Sequence, residues 1–496
     1  MLPQGSEWTF KAIEQYDEAI REVADAHGWE YYPYNLEIIT SEAMMDAYCS
    51  VGMPVYYNHW TFGKQHIQLE RTYERGQMSL AYEIVINSDP CIAYLMEENS
   101  LTMQALVIAH AAIGHNSYFC NSNLFRQWTN ADSIIDYMLF ARNYIAKCEE
   151  KFGMKEVEEI LDSAHALANL GVDRYKRKPK LSLAKEKALQ KEREEYLQSQ
   201  VNDIWRTLPF SDKPVVETHK RFPEQPEENV LYFIEKNAPL LKPWQREIIR
   251  IIRKVHQYFY PQRMTKVLNE GWATFVHHHI LNQLYDQKQV GDGFMLEFLK
   301  SHTGVVAQPP YNSKYYSGWN PYALGFALFT DIKRICDNPT EEDKKWFPDW
   351  AGDDWLKVSM DVVKNYKDES ALLQFLSPKL MRDFHMFEVL DDDKNEKLRI
   401  DSIHNEEGYR RVRCALASTY DVGLHDPNIQ VWDVDVQNTR TLTLRYTATN
   451  RQPLAPNYRD VLAHVTKLWG FDVKLDMCVE DEIKASYTMP RGLLEK

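Results

Sequence analysis

The chain has 496 residues, 44% hydrophobic and 26% charged, with a formal net charge of −14. That length exceeds what one hydrophobic core spans, so two domains are expected, and the acidic balance argues against general nucleic-acid or anionic-membrane binding, which needs positive surface to meet phosphate. Seven cysteines at wide, irregular spacing, with no Cys-x-x-Cys pair, suggest neither a disulfide framework nor a zinc ribbon. A basic-then-apolar leader is lacking and no apolar run approaches about 20 residues, which predicts a cytoplasmic protein without a membrane span.

In chain order, residues 8–50 carry Phe10, Ile13, Tyr16, Ala19 and Ile20 at helical spacing and read as amphipathic helix. Residues 51–90 are aromatic and irregular, and YEIVINSDP within them reads as a short strand ending on an Asp-Pro turn. The apolar stretch over 91–115 predicts a helix, and two more follow at 131–150 and 154–170, joined at Gly153. Composition then shifts. Near 174–200, Lys176, Arg177, Lys178 and Lys180 cluster around Pro179, as in a solvated charged connector, with a docking site for an acidic partner as the alternative.

Helical spacing returns over 226–260, broken near Pro239 and Pro243, and again at 262–285 and 293–301. A Pro- and Tyr-rich loop covers 308–322, and helices near 323–337, 354–366 and 369–376 follow. After Leu380 the pattern alternates: HMFEVLDDDKNEKLRIDSIH reads as a hairpin, IQVWDVDV and TLTLRYTA as a second strand pair. YRDVLAHVTKLWG reads as a helix stopping at Gly470, with the strand FDVKLDM after it. The expected fold is α+β: a mainly helical domain over 1–380 and a small α+β domain over 381–496, its sheet covered by helices on one face.

Two segments carry metal-binding chemistry. His110 and His115 lie in ALVIAHAAIGHNSYF, and imidazole is a common ligand for first-row metals. A step of five residues leaves side chains about 140° apart on a regular helix, so the pair converges only if the helix contains a π-bulge or loosens at Gly114. The His-Glu-x-x-His spacing of zincins is four, and Ala111 stands where its Glu would be. In NEGWATFVHHHI, Glu270 and His277 share a helix face about 10.5 Å apart, which suits Glu270 as ligand and His277 as a supporting or substrate-contacting group. The alternative for Glu270 is an internal ion pair with an Arg or Lys. A two-histidine helix followed by a Glu-Gly-Trp-Ala helix resembles the glutamate-ligand arrangement of zincin-type metallopeptidases, a distant likeness since the full motif is absent.

The candidate metal site is therefore His110, His115, Glu270 and His277, for a divalent transition metal with zinc among the choices. A general base must come from elsewhere, and Glu97 and Glu98 are the candidates. Tyr311, Tyr315 and Tyr316 in QPPYNSKYYSGWNPY could stack on a substrate, or the prolines could make that loop a packed connector. The run Asp391-Asp392-Asp393 lacks the Gly and closing Glu of a calcium loop. No P-loop, Gly-x-Gly-x-x-Gly or Gly-x-Ser-x-Gly occurs, so nucleotide binding and serine hydrolysis lack support.

The blocks LAYEIVINSDPCIAYLMEENS, AHAAIGHNSYFCNSNLF, LNEGWATFVHH, QPPYNSKYYSGWNPYALGF and IHNEEGY resemble those of the SpoVR (stage V sporulation protein R-like) family, over nearly the whole chain. The resemblance implies a link to spore-cortex, cell-envelope or stationary-phase stress physiology, and partnership with a PrkA-like serine kinase and a DUF444-type protein. It brings no agreed reaction. Two readings follow: a metal-dependent, hydrolase-like protein, or a catalytically silent regulator or scaffold in the kinase-linked system.

Overall fold

Among the described residues helices dominate, and two small sheets and a two-stranded antiparallel pair complete an α+β architecture. The computed structural model describes residues 1–50, 53, 55–74, 83–176, 221–311, 313–387, 389–390, 399–400, 405–448, 454–480 and 482–493. The charged stretch over 177–200 and the Asp391–Asp393 turn lie outside them. Contacts divide the chain into two units, Met1–Asp162 with Lys254–Asp426, and Ser163–Arg253 with Pro427–Lys496.

In the first unit, Thr9 caps the helix Phe10–Ala26, its side chain accepting from the Ala12 N–H. This helix stops well short of residue 50. Gly28 adopts φ +67°, and the chain continues as the strand Tyr34–Ile39 and the helix Ser41–Cys49. Tyr34–Ile39 pairs in parallel with Cys91–Met96, whose other edge pairs antiparallel with Glu83–Ile86. Residues 91–96 are thus a central strand, where a helix was expected. A six-residue apolar run suits a strand buried on both faces as well as a helix, and only its pairing partners decide. The helix begins at Leu101, capped by the Ser100 hydroxyl on the Met103 N–H. Trp60–Glu74, inside the stretch read as irregular, is also helical.

The helix Lys266–Asp286 runs through the core, burying Leu268, Trp272, Phe275, Val276 and Ile280. Its first turn is held by Asp368, whose carboxylate accepts from the Val267 and Leu268 N–H groups at 2.9 Å each. Glycines set how close its neighbours come. A Cβ on Gly271 would lie 2.3 Å from the Gly325 Cα of the helix Pro321–Asp337, and one on Gly114 would lie 2.6 Å from the Ala273 Cα. Three backbones therefore meet at the same level of the core.

The expected boundary at 380/381 does not coincide with the division of contacts, which falls at Asp426/Pro427. The helix Glu406–Thr419 buries Tyr409, Val412 and Leu416 in the main core, and Arg413 donates to the Leu373 carbonyl at 3.2 Å. Periodicity changes near 380 because the chain enters a hairpin, Val389–Leu390 against Arg399–Ile400, but the core continues beyond it.

In the second unit, the strands Ile429–Val434, Leu442–Thr447, Val473–Val479 and Glu482–Met489 form a sheet in sequence order. The middle pair is parallel and the outer pairs antiparallel. The helix Tyr458–Trp469 makes the crossover and ends at Gly470, φ +87°, as its sequence predicts. The helix Val230–Asn237 joins this unit, with Phe233 stacked on Trp469 at 5.9 Å and Glu227 bridged to Val431.

Candidate metal centre

The helix that carries His110 and His115 is a π-helix over Ile108–His115, every residue of it buried. Its i→i+5 hydrogen bonds widen the turn, so residues five apart sit above one another rather than about 140° apart. The two imidazole centroids are 4.7 Å apart. Gly114 and Ala273 let the helix Lys266–Asp286 pack directly against this turn, and Glu270 projects toward both rings. The strand Glu83–Ile86 supplies a second carboxylate from the opposite element.

The distances are ones that a single small cation could span. His110 Nε2 lies 3.1 Å from Glu83 Oε1 and 3.9 Å from Glu270 Oε2, and His115 Nε2 lies 3.4 Å from Glu270 Oε2. Ligand atoms around a four-coordinate metal with bonds of about 2.0–2.1 Å are about 3.4 Å apart. Glu83, His110 and His115 each offer an atom within 4.8 Å of the others. Three buried atoms here, Glu83 Oε2, His110 Nε2 and Glu270 Oε2, have no hydrogen-bond partner. Buried polar atoms left unpaired are expensive, and a cation between His110 Nε2 and Glu270 Oε2, 3.9 Å apart, would satisfy both.

The other ring nitrogens are held from behind. His115 Nδ1 lies 3.0 Å from Asn269 Oδ1, an acceptor, so Nδ1 carries the proton and Nε2 is the free base once deprotonated. His110 Nδ1 is 2.8 Å from His277 Nδ1, and His277 Nε2 is 3.0 Å from His302 Nδ1. One consistent proton arrangement has His110 donating to His277 and His277 donating to His302, which leaves the His110 Nε2 lone pair toward the centre. Burial, then the neighbouring imidazoles, push His110 and His277 well below the usual histidine range. Burial also lowers His302 to about 4. These three are neutral, as ligands and acceptors must be.

His115 and Glu83 behave differently without a metal. Burial alone would strip the His115 proton, but Glu270 and Glu83 retain it and raise the group to about 9. Burial lifts Glu83 to about 8, with Glu270 adding to the rise and His115 opposing it. The metal-free centre therefore stores protons that a cation would displace. Burial and then the two carboxylates raise Tyr322 far above its usual range, so its hydroxyl stays protonated. Its ring lies 6.3 Å from that of His110.

Of the residues singled out in the sequence, His110, His115 and Glu270 come together, and His277 stands behind His110 rather than among the atoms facing the centre. Glu97 and Glu98 are exposed and do not reach it. The Glu97 carbonyl accepts from Trp8 Nε1 at 2.9 Å, and Glu98 Oε1 lies 3.4 Å from the Ser41 N–H. Tyr311 and Tyr315 are exposed, and Tyr316 packs on Trp319 at 6.1 Å, away from the centre. Tyr322, in the first turn of the helix Pro321–Asp337, lines the cavity beside the centre instead. Glu83, Asn269 and His302 were missed. The one acid in the apolar run YEIVI was the available signal for Glu83, since a buried strand seldom carries an unpaired carboxylate.

Comparison with known proteins accords with this layout. The family described as "SpoVR like protein" matches residues 7–425, and "SpoVR-like C-terminal domain" matches 427–480. The junction between the two coincides with the structural division at Asp426/Pro427. "Uncharacterized protein YcgB" of Escherichia coli (strain K12) is 61% identical over 482 residues, covering 97% of this chain and 94% of that protein. No solved structure matches. The chain belongs to the SpoVR family.

Proposed function

We propose that this protein is a metal-dependent hydrolase with its centre at His110, His115 and Glu270. The observation that carries the reading is His110 Nε2 at 3.1 Å from Glu83 Oε1 and 3.9 Å from Glu270 Oε2, with His115 Nε2 3.4 Å from the same Glu270 oxygen. Two imidazoles and a carboxylate, with room for a further ligand, suit zinc or a similar divalent ion. Such an ion, when bound, supplies Lewis-acid polarisation and an acidified water. Glu83 takes the role expected of Glu97 or Glu98: it accepts a water proton and passes it to the leaving group. The Tyr322 hydroxyl donates to the oxyanion as the carbonyl carbon gains the water oxygen and loses its bond to nitrogen or oxygen. Asn269 and His277 hold the two ligand rings in the tautomer that presents Nε2.

The test is metal content after expression with added zinc. About one equivalent is expected in the wild type and little in His110→Ala. Glu83→Gln should retain the metal yet lose hydrolysis of amide and ester substrates. Sub-stoichiometric metal in the wild type would remove the centre and favour a scaffold acting with a PrkA-like serine kinase.

A further inference from the structure

The cavity beside the centre has a volume of about 560 Å³, the size for a small ligand or one end of a larger one. Its walls differ. Val85, Met103, Leu106, Val107 and Val305 make an apolar side, and Tyr322, Asn320 and Ser301 line it too. Asn320 is already engaged: its Nδ2 donates to the Val305 and Ala307 carbonyls, and its Oδ1 accepts from the Tyr322 N–H. The Tyr48 and Ser301 hydroxyls and the His302 ring are then left for a ligand, joined by the Tyr322 hydroxyl, now bonded to Glu270, once a metal takes up that carboxylate.

Glu83 and Glu270 are the charges an incoming group meets, with side chains 20% and 18% exposed. Two carboxylates offset a divalent cation, so the loaded centre draws no anion toward it. A phosphoryl group needs cationic clamps to hold its charge, and here it would be pressed against carboxylates. Among the described lining residues none is Arg or Lys. An uncharged carbonyl meets no such repulsion, and an aliphatic chain beside it gains by covering the apolar wall.

We infer that the substrate is an uncharged amide or ester with an aliphatic acyl group, and that phosphoesters and substrates with a free carboxylate at the scissile bond are turned away. This rests on the hydrolase reading above and adds its substrate class. The experiment uses full-length protein loaded with cobalt(II), whose visible absorption reports ligands at the metal. Acetamide and hexanamide serve as uncharged carbonyl probes, inorganic phosphate and butylphosphonate as anionic ones. Both amides should perturb the spectrum, the six-carbon one with at least about tenfold higher affinity. Leu106→Ala should narrow that difference at unchanged cobalt content. Phosphate or butylphosphonate binding as tightly as the amides, or equal affinity for both chain lengths, would overturn the inference. Failure to take up cobalt would remove the metal centre itself, a separate and recognisable result.

Discussion

Glu270 decides whether two buried imidazoles and two half-buried carboxylates form a metal centre or an internal ion network. With Glu270→Gln the shape persists and one negative charge goes, so metal affinity should fall by at least about 100-fold while the helical signal stays. Paired with His110→Ala in a double-mutant cycle, the two losses should be strongly non-additive, because both residues serve one ion. Additive effects together with full metal retention would assign Glu270 to a structural role. Asn269→Leu tests the support of His115: metal affinity should drop by about 10–100-fold with little change in fold, read by competition with a chromophoric chelator.

The same residues set a pH dependence. His115 is raised from 6.5 to about 9 and Glu83 from 4.5 to about 8 in the metal-free protein. A folded-state value above the unfolded one means the folded protein holds the extra proton. For His115 that contribution is complete below pH 6.5 and vanishes as pH climbs through about 9; for Glu83 it declines from pH 4.5 to about 8. Metal-free protein should therefore lose stability across this range, and metal binding, which expels both protons, should strengthen with pH. The melting temperature difference between loaded and metal-free protein is expected to widen from pH 6 to 9. A difference that narrows or stays flat would contradict the assignment of these protons.

At the scale of elements, the centre depends on helices that touch through glycine. Gly271→Val would drive a branched side chain into the backbone of Gly325, and destabilisation of roughly 1–3 kcal/mol or more is expected. Metal affinity should fall with it, since Glu270 is the preceding residue on that helix. Urea unfolding and metal titration on the same variant would check both. The π-helix was legible only as a condition: a five-residue histidine spacing made it necessary for convergence, but nothing in IAHAAIGH compels the wider turn. That turn forms because Gly114 accepts the Ala273 backbone and both rings find partners at Asn269 and His277.

For the whole molecule, the division at Asp426/Pro427 yields a different expectation from a break near 380. A fragment from Met381 onward carries the helix Glu406–Thr419 without the core it packs on, and lacks the helix Val230–Asn237 that stacks Phe233 on Trp469. It should show little cooperative melting by circular dichroism. A cooperative transition in that fragment would restore the earlier boundary. Phe233→Ala in the full chain should cost about 3–5 kcal/mol, seen as faster amide exchange in the strand Val473–Val479.

The sequence by itself determined the helical character of most of the chain, the strand pair and crossover helix after Pro427, and the stop at Gly470. Those are local matters: spacing, caps and turn residues act within a few positions, and a helix face is written in its own period. Tertiary structure alone decided that Cys91–Met96 is a strand, that the helix Val230–Asn237 folds with the C-terminal sheet, and that Glu83, Asn269 and His302 lie beside the two histidines. Each of these depends on a partner distant in the chain. A strand needs its neighbours' hydrogen bonds and a ligand set needs convergent atoms, and neither leaves a periodic trace in the residues that take part.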